Sequence, residues 1–253
     1  MKKIYLVFII FSITALSDNL WANQNDEKIK MYALCTPSHE VLRDEWFLPS
    51  IQDDYEVIIE NVAQECSSGN YIKTGWIATM LRKIDLIIKA IEENRGSFFV
   101  VSDVDIQFFA PTKNIIIDLM GLDKDMLIQK DTPEGELCAG FMVIRANEKT
   151  YCLWNIIKKR MIESHNQRIH DQKILNDLLV KKNNPYNLLW DYLPNKFFGG
   201  GTLTGYGWTP GCALPIPKDI VMHHANWTIG IDNKIKQLRY VKDKIKKLKD
   251  MSN

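Results

Sequence analysis

The strongest constraint on this 253-residue chain is a short run that is apolar on both faces, Phe98-Phe99-Val100-Val101, set within an alternation of strand-like and helix-like stretches. A strand buried on both faces belongs inside a sheet covered by helices on either side. Met31 to Cys35 reads as a first strand and Glu56 to Ile59 as a second. Between Ile77 and Ile91, the residues Ile77, Met80, Leu81, Ile84, Ile87, Ile88 and Ile91 recur at three and four, so they share one face of a helix that stops at Asn94-Arg95-Gly96. The order strand, helix, buried strand predicts an α/β layer with Phe98 to Val101 as a central parallel strand. Hydrophobic residues make up 46% of the chain and Pro and Gly are sparse, so a single large core is within reach and a disordered or disulfide-stapled chain is excluded.

The central run leads straight into Ser102-Asp103-Val104-Asp105. Two carboxylates pressed together at the end of a buried strand repel and resist desolvation unless a cation lies between them, and ligands of open α/β sheets bind at such strand ends. Hard oxygen donors suit Mg²⁺ or Mn²⁺, with phosphate oxygens and water filling the other positions. A solvated turn is the plain alternative for an isolated Asp-x-Asp.

With the strand before it, Asp103-Val104-Asp105 resembles the Asp-x-Asp motif of nucleotide-diphospho-sugar transferases. Three more segments follow in that family's order: Cys138 to Asn147, like its small-Gly-Phe-x-x-x-Arg strand; His170-Asp171-Gln172 with Asn176, like its Asp-Gln-x-x-x-Asn helix start; and His223-His224-Ala225-Asn226-Trp227 with Gly230 and Lys234, like its His-Ala-Asn-Trp block. The resemblance spans about residues 30–240. It implies a glycosyltransferase-A fold, a Rossmann-like, mixed but mostly parallel sheet flanked by helices that holds a nucleotide-sugar and a divalent cation, Mn²⁺ or Mg²⁺.

Carried over position by position, the resemblance makes Asp103, Asp105 and His224 the metal ligands. Thr36, Lys83, Asp103, Gly140 and Lys234 become donor contacts, and Asp171 and Gln172 face the transferred sugar. Each position also has a plainer reading. Gly140 leaves room for sugar or backbone, or marks a bulge. Arg145 clamps an acid or pairs with a surface carboxylate. Asp171 caps the helix bearing Ile174, Leu175, Leu178 and Leu179, or stabilises charge on the sugar. Lys83 is a donor contact or a solvated helix-face lysine. His223 competes with His224, and neighbours on a strand point oppositely, so one of the two reaches a metal. Asn226-Trp227-Thr228 fits the N-glycosylation sequon, which is improbable inside a binding motif. Phe197 to Thr202 with Trp208 has glycines and aromatics suited to an acceptor sugar, and equally to an ordinary packed loop.

The ends read differently. Lys2 and Lys3 precede an apolar run, Ile4 to Leu16, closed by Asp18; residues 1–22 read as a secretory signal peptide cleaved after Ser17 or Ala22, with a short membrane anchor as the alternative. The expectation is an exported protein and one domain over 23–253. Residues 234–253 carry eight Lys/Arg against two Asp, and Ile235, Leu238, Val241, Ile245 and Leu248 mark a basic amphipathic helix over 234–250. It either docks on the body with a solvated lysine face or makes peripheral contact with anionic lipid. Overall charge is +1, which provides no field toward nucleic acid. The five cysteines have no zinc-ligand spacing; Cys35, Cys138 and Cys152 lie in apolar runs and read as buried thiols.

The expected activity is metal-dependent transfer of a sugar from a nucleotide donor, a UDP-sugar foremost, to a carbohydrate, protein or lipid hydroxyl, with retention as the resemblance implies. A nucleotidyltransferase or phosphohydrolase would draw further acids onto the site, and none cluster near Asp103 in sequence. A non-catalytic carbohydrate-binding or host-interaction protein on the same fold is the remaining alternative.

Overall fold

A computed structural model describes residues 28–250 apart from 68, 70–72, 122, 165–168, 182–183 and 201–206. The proposed signal segment, 1–22, therefore lies outside the described residues, as do Gly201 and Thr202.

The main sheet has six strands in the order β2-β1-β3-β6-β5-β7: β1 Lys30–Cys35, β2 Glu56–Asn61, β3 Phe98–Ser102, β5 Met126–Lys130, β6 Leu137–Arg145 and β7 Trp190–Tyr192. Three of its pairings are parallel (β1 with β2, β1 with β3, β5 with β7), and β6 runs antiparallel to β3 and β5. The sheet is thus mixed and mostly parallel, as expected. The central strand β3 differs in one respect: it is parallel to β1 alone, because the chain reaches its other neighbour, β6, through a return rather than a crossover helix. A three-stranded sheet sits beside it, with β9 (Met222–His224) between β4 (Ile106–Phe108) and β8 (Phe197–Gly199).

Helices cover both faces. Trp76–Glu93 buries Ile84, Ile87 and Ile91 against Tyr32, Phe99, Val101 and Trp154, the last from the helix Glu148–Glu163. It extends one residue before and two beyond the predicted span and is capped by Asn94, whose backbone N–H and side-chain amide both donate to Ala90 O; Gly96, at φ 86°, then turns the chain, its N–H on Ala146 O. Asn147 opens Glu148–Glu163 with a capping box to Thr150. On the opposite face Phe47, Val100, Phe141, Val143 and Leu238 form a second cluster.

Leu238 belongs to the C-terminal helix Ile231–Asp250, which begins three residues before the predicted start. Leu238, Val241 and Ile245 are buried on the body, so the apolar stripe is spent on packing; Leu248, the last of the predicted stripe, is exposed. Among the described residues no helix is long and apolar enough to cross a membrane. Cys35 and Cys138 are buried as expected, Cys66 is buried too, and Cys152 is half-buried because it lies on the outer flank of its helix beside Glu148.

Candidate functional site

At the carboxyl end of β3 the chain cannot continue in the main sheet. It leaves through Asp103 and enters β4, whose partner β9 ends in His224. Two backbone bonds fix the junction: Asp103 N–H to Gly140 O (2.7 Å) and Ala225 N–H to Asp105 O (2.9 Å). Segments far apart in sequence thereby deliver Asp103, Asp105 and His224 to one point, each offering a ligand atom within 4.8 Å of the others. His224 Nε2 is 3.2 Å from Asp105 Oδ1 and 3.8 Å from Asp103 Oδ2.

The outer oxygens of both carboxylates are held by lysines. Lys83 Nζ donates to Asp103 Oδ1 at 2.6 Å and to Ala139 O at 2.9 Å, and Lys234 Nζ donates to Asp105 Oδ2 and to Ala225 O. Lys83 is only 5% exposed, so it is not a solvated helix-face lysine: it reaches inward from Trp76–Glu93 to the strand end. Burial pulls the Lys83 ammonium down, but the carboxylates of Asp103 and Asp171 outweigh it and leave it raised. Burial likewise pushes the Asp105 carboxyl up, yet Lys234 and His224 hold it well below the usual carboxylate range. Each aspartate therefore keeps one oxygen engaged by a lysine and turns the other toward His224 Nε2.

Gly140 serves this convergence. The β5–β6 register steps from Ile128↔Met142 to Gln129↔Cys138, so 139–141 bulge away from β5. A Cβ on Gly140 would lie 2.2 Å from His224 Cε1 and 2.8 Å from Asp103 Oδ2. Both the bulge and the need for space are real, and the space is taken by His224. The adjacent His223 points the other way. It stacks on Phe198 at 5.2 Å, and burial, with His224 beside it, lowers its pKa to about 3.

A cleft of about 610 Å³ opens over these groups. Thr36 lines one end, its Oγ1 3.0 Å from His39 Nδ1. Asp171 and Gln172 line another wall, at the start of the helix Asp171–Asn176. Asp171 is buried beside His170, 3.5 Å away; burial pushes its carboxyl up, and His170 with Lys83 more than reverses that. The N-cap of that helix is His170, and Asp171 stands in its first turn. Gln172 is occupied structurally: it accepts from Ala139 N–H at 3.1 Å and donates to Asp131 Oδ2 at 2.9 Å. Asn176 clamps both backbone groups of Leu137.

Sequence reasoning missed Asp131, Gln129 and His39. Asp131 follows the apolar strand β5 much as Asp103 follows β3, and that signal could have found it. It is buried, accepts from Asn226 Nδ2 at 2.9 Å, and burial raises its carboxyl. Asn226 is thus committed inward at 8% exposure, which removes it as a glycan acceptor. Arg145 takes neither expected role, since it lies at the far end of β6 and donates to the carbonyls of Lys124 and Gly121. Phe197, Phe198 and Trp208 are buried in the cores rather than presented for stacking; the exposed aromatic lining the cleft is Trp227, at φ 56°.

The sequence matches the family model described as "Nucleotide-diphospho-sugar transferase" over residues 38–238. The chain belongs to that family. Structurally this transferase is similar to a glycosyltransferase involved in glycosylation of the major capsid of PBCV-1 (TM-score 0.57, 13% identity, 85% of this chain and 100% of that one). It is also similar to the bifunctional glycosyltransferase WbbM (0.51, 10%, 84% and 50%) and to mouse xyloside xylosyltransferase 1 (0.50, 9%, 79% and 98%). At these identities the likeness is one of fold, glycosyltransferase-A. No curated protein sequence matches the transferase. Two carboxylates and an imidazole, with the inner oxygens turned together and no Cβ at position 140, fit a hard divalent cation in the transferase's cleft.

Proposed function

We propose that this glycosyltransferase moves a sugar from a nucleoside diphosphate donor, a UDP-sugar foremost, to an acceptor hydroxyl in the presence of Mn²⁺ or Mg²⁺. The observation that carries the reading is the paired arrangement of Asp103 and Asp105: one oxygen of each on a lysine, the other facing His224 Nε2. Asp103, Asp105 and His224 would hold the cation, which when bound would neutralise diphosphate charge. Lys234, at the cleft edge of its helix, is placed to bind the departing diphosphate; Lys83 keeps Asp103 oriented. Thr36 lines the end of the cleft proposed for the nucleoside. Asp171, buried and held ionised beside Lys83, is placed to receive hydrogen bonds from sugar hydroxyls or to stabilise positive charge at the anomeric carbon. Gln172 positions this wall through Ala139 and Asp131.

Retention of anomeric configuration follows from the family resemblance, and the anomeric coupling constant of the product reads it. Export through residues 1–22 is proposed on their charge and hydropathy; N-terminal sequencing of the protein recovered outside the cytoplasm tests it.

The deciding experiment is calorimetric titration of the protein with UDP, with and without Mn²⁺, beside Asp105→Ala. Metal-dependent binding that the variant loses is the expected result. If neither UDP nor GDP binds the folded protein in the presence of metal, the donor site is wrong and a carbohydrate-binding role takes its place.

A further inference from the structure

A cation at Asp103, Asp105 and His224 needs one particular nitrogen of His224 turned toward it. Neutral imidazole carries its proton on Nδ1 or on Nε2, and only a bare Nε2 could offer its lone pair to a cation held between Asp103 and Asp105. Behind the ring, on the side away from the cleft, lies Gln129. It is fully buried on β5, and its Oε1 is 2.9 Å from His224 Nδ1. Its Nε2 donates to Phe197 O at 3.0 Å.

That second bond fixes the sense of the first. A carbonyl oxygen only accepts, so the amide NH₂ of Gln129 must face Phe197, and its oxygen must face the imidazole. An amide oxygen also only accepts, so His224 Nδ1 must carry a proton; Cys138 Sγ, 3.6 Å from the same nitrogen, can accept it as well. Reversing the amide would set two oxygens against each other at Phe197 in a fully buried place, so the Phe197 carbonyl alone decides the amide's orientation. The β5–β6 register step lies at Gln129, where the ladder re-forms against Cys138. Bulges of this kind commonly re-aim a side chain beside a site.

We infer that Gln129 is a positioning residue: the chain Phe197 carbonyl, Gln129 amide, His224 Nδ1–H keeps a proton on Nδ1 and leaves Nε2 as the nitrogen that faces the Asp103–Asp105 gap. The consequence for the cation rests on the metal-site reading above; the tautomer itself does not. Nε2 then faces two carboxylates, 3.2 and 3.8 Å away, so this side of the ring must hold either a proton or a cation, and a cation takes the proton's place.

The test begins on the unaltered, chelator-treated full chain with ¹⁵N-labelled histidine, at about pH 9 where an ordinary imidazole is neutral. His224, assigned by the signal lost in His224→Asn, is expected to show a protonated Nδ1, and added Mg²⁺ is expected to shift Nε2. An unprotonated Nδ1 overturns the inference whatever any variant does. In Gln129→Leu, the tautomers are expected to mix and the Mn²⁺ dissociation constant to rise by about 10- to 100-fold, the usual effect of removing a group that orients a metal ligand. A folded Gln129→Leu protein with an unchanged tautomer overturns it. The expected tautomer with no Mg²⁺ shift and no Mn²⁺ binding would uphold Gln129 as the lock and sink the metal reading instead.

Discussion

Gly140 and His224 occupy space that would otherwise be shared: a Cβ on Gly140 would stand 2.2 Å from His224 Cε1 and 2.9 Å from its Nδ1. The imidazole is itself pinned by Gln129 and cannot swing aside cheaply. Gly140→Ala should therefore displace the ring, lowering stability by about 1–3 kcal/mol through overpacking. Mn²⁺-dependent UDP binding should weaken at least tenfold. Thermal unfolding and calorimetry on the same preparation measure both, and unchanged binding would show that His224 is not needed where it stands.

Lys83 holds Asp103 Oδ1 and the Ala139 carbonyl together. Lys83→Met leaves that carbonyl without its lysine donor and frees Asp103 to rotate. We expect a loss of about 1–3 kcal/mol in stability and a fall of roughly 10- to 100-fold in donor hydrolysis or transfer. Arginine should not rescue it, because a forked guanidinium does not fit a fully buried slot shaped for a single ammonium. Steady-state kinetics with UDP-sugars checks this.

Asp171 has its carboxyl lowered in the folded protein: burial raises it, and His170 with Lys83 outweigh burial. In the unfolded chain the same group titrates at about 3.9, so at acid pH the unfolded state binds more protons. Its contribution is present above that value and lost as pH falls through the lower folded value. Asp171→Asn should accordingly be less stable than the unaltered protein near neutrality, and the gap should close below about pH 4. Urea unfolding at pH 7, 5 and 3.5 follows the gap; a gap independent of pH would mean that the carboxylate charge does not contribute.

Leu238 decides between the two readings of the basic C-terminal helix. It is fully buried on the body with Phe47, Val100 and Phe141, and Val241 and Ile245 continue the stripe into a third cluster. Leu238→Ala should cost about 2–5 kcal/mol, the price of a cavity in a well-packed core. An amphipathic helix that lies in a membrane would have this face free. Any affinity for anionic vesicles should therefore be electrostatic alone and should disappear as salt is raised, whereas salt-resistant vesicle binding would contradict the docked helix.

The sequence by itself determined the elements with strong local signals. Period-3.6 apolar spacing placed the helix Trp76–Glu93 within two residues at either end, and the run Phe98 to Val101 announced a strand buried on both faces. The Asp-x-Asp at its end, with three other ordered motifs, was enough to mark the family. These features are legible because they rest on neighbours in the chain. Strand direction is not such a feature: β3 takes β6 as an antiparallel neighbour because of how a distant segment returns.

The same limit governs the site. Lys83 read either as a donor contact, by resemblance, or as one more lysine on a helix face, and only the packing of Trp76–Glu93 on the sheet sends it to Asp103, 20 residues away in sequence. Arg145 sat in the right motif, yet lies at the far end of β6, occupied with carbonyls. The family motif favoured His224 over its competitor His223, and the pairing of β9 with β4 is what turns the two imidazoles to opposite sides, since alternate side chains on a strand face opposite ways. Gln129 and Asp131 reach His224 and Asn226 across 95 residues, and no local pattern encodes a hydrogen bond of that span. Residue types and spacing determined which chemistry this chain could carry; which atoms meet was decided only by the tertiary structure, because a hydrogen-bond network is satisfied in space and not along the sequence.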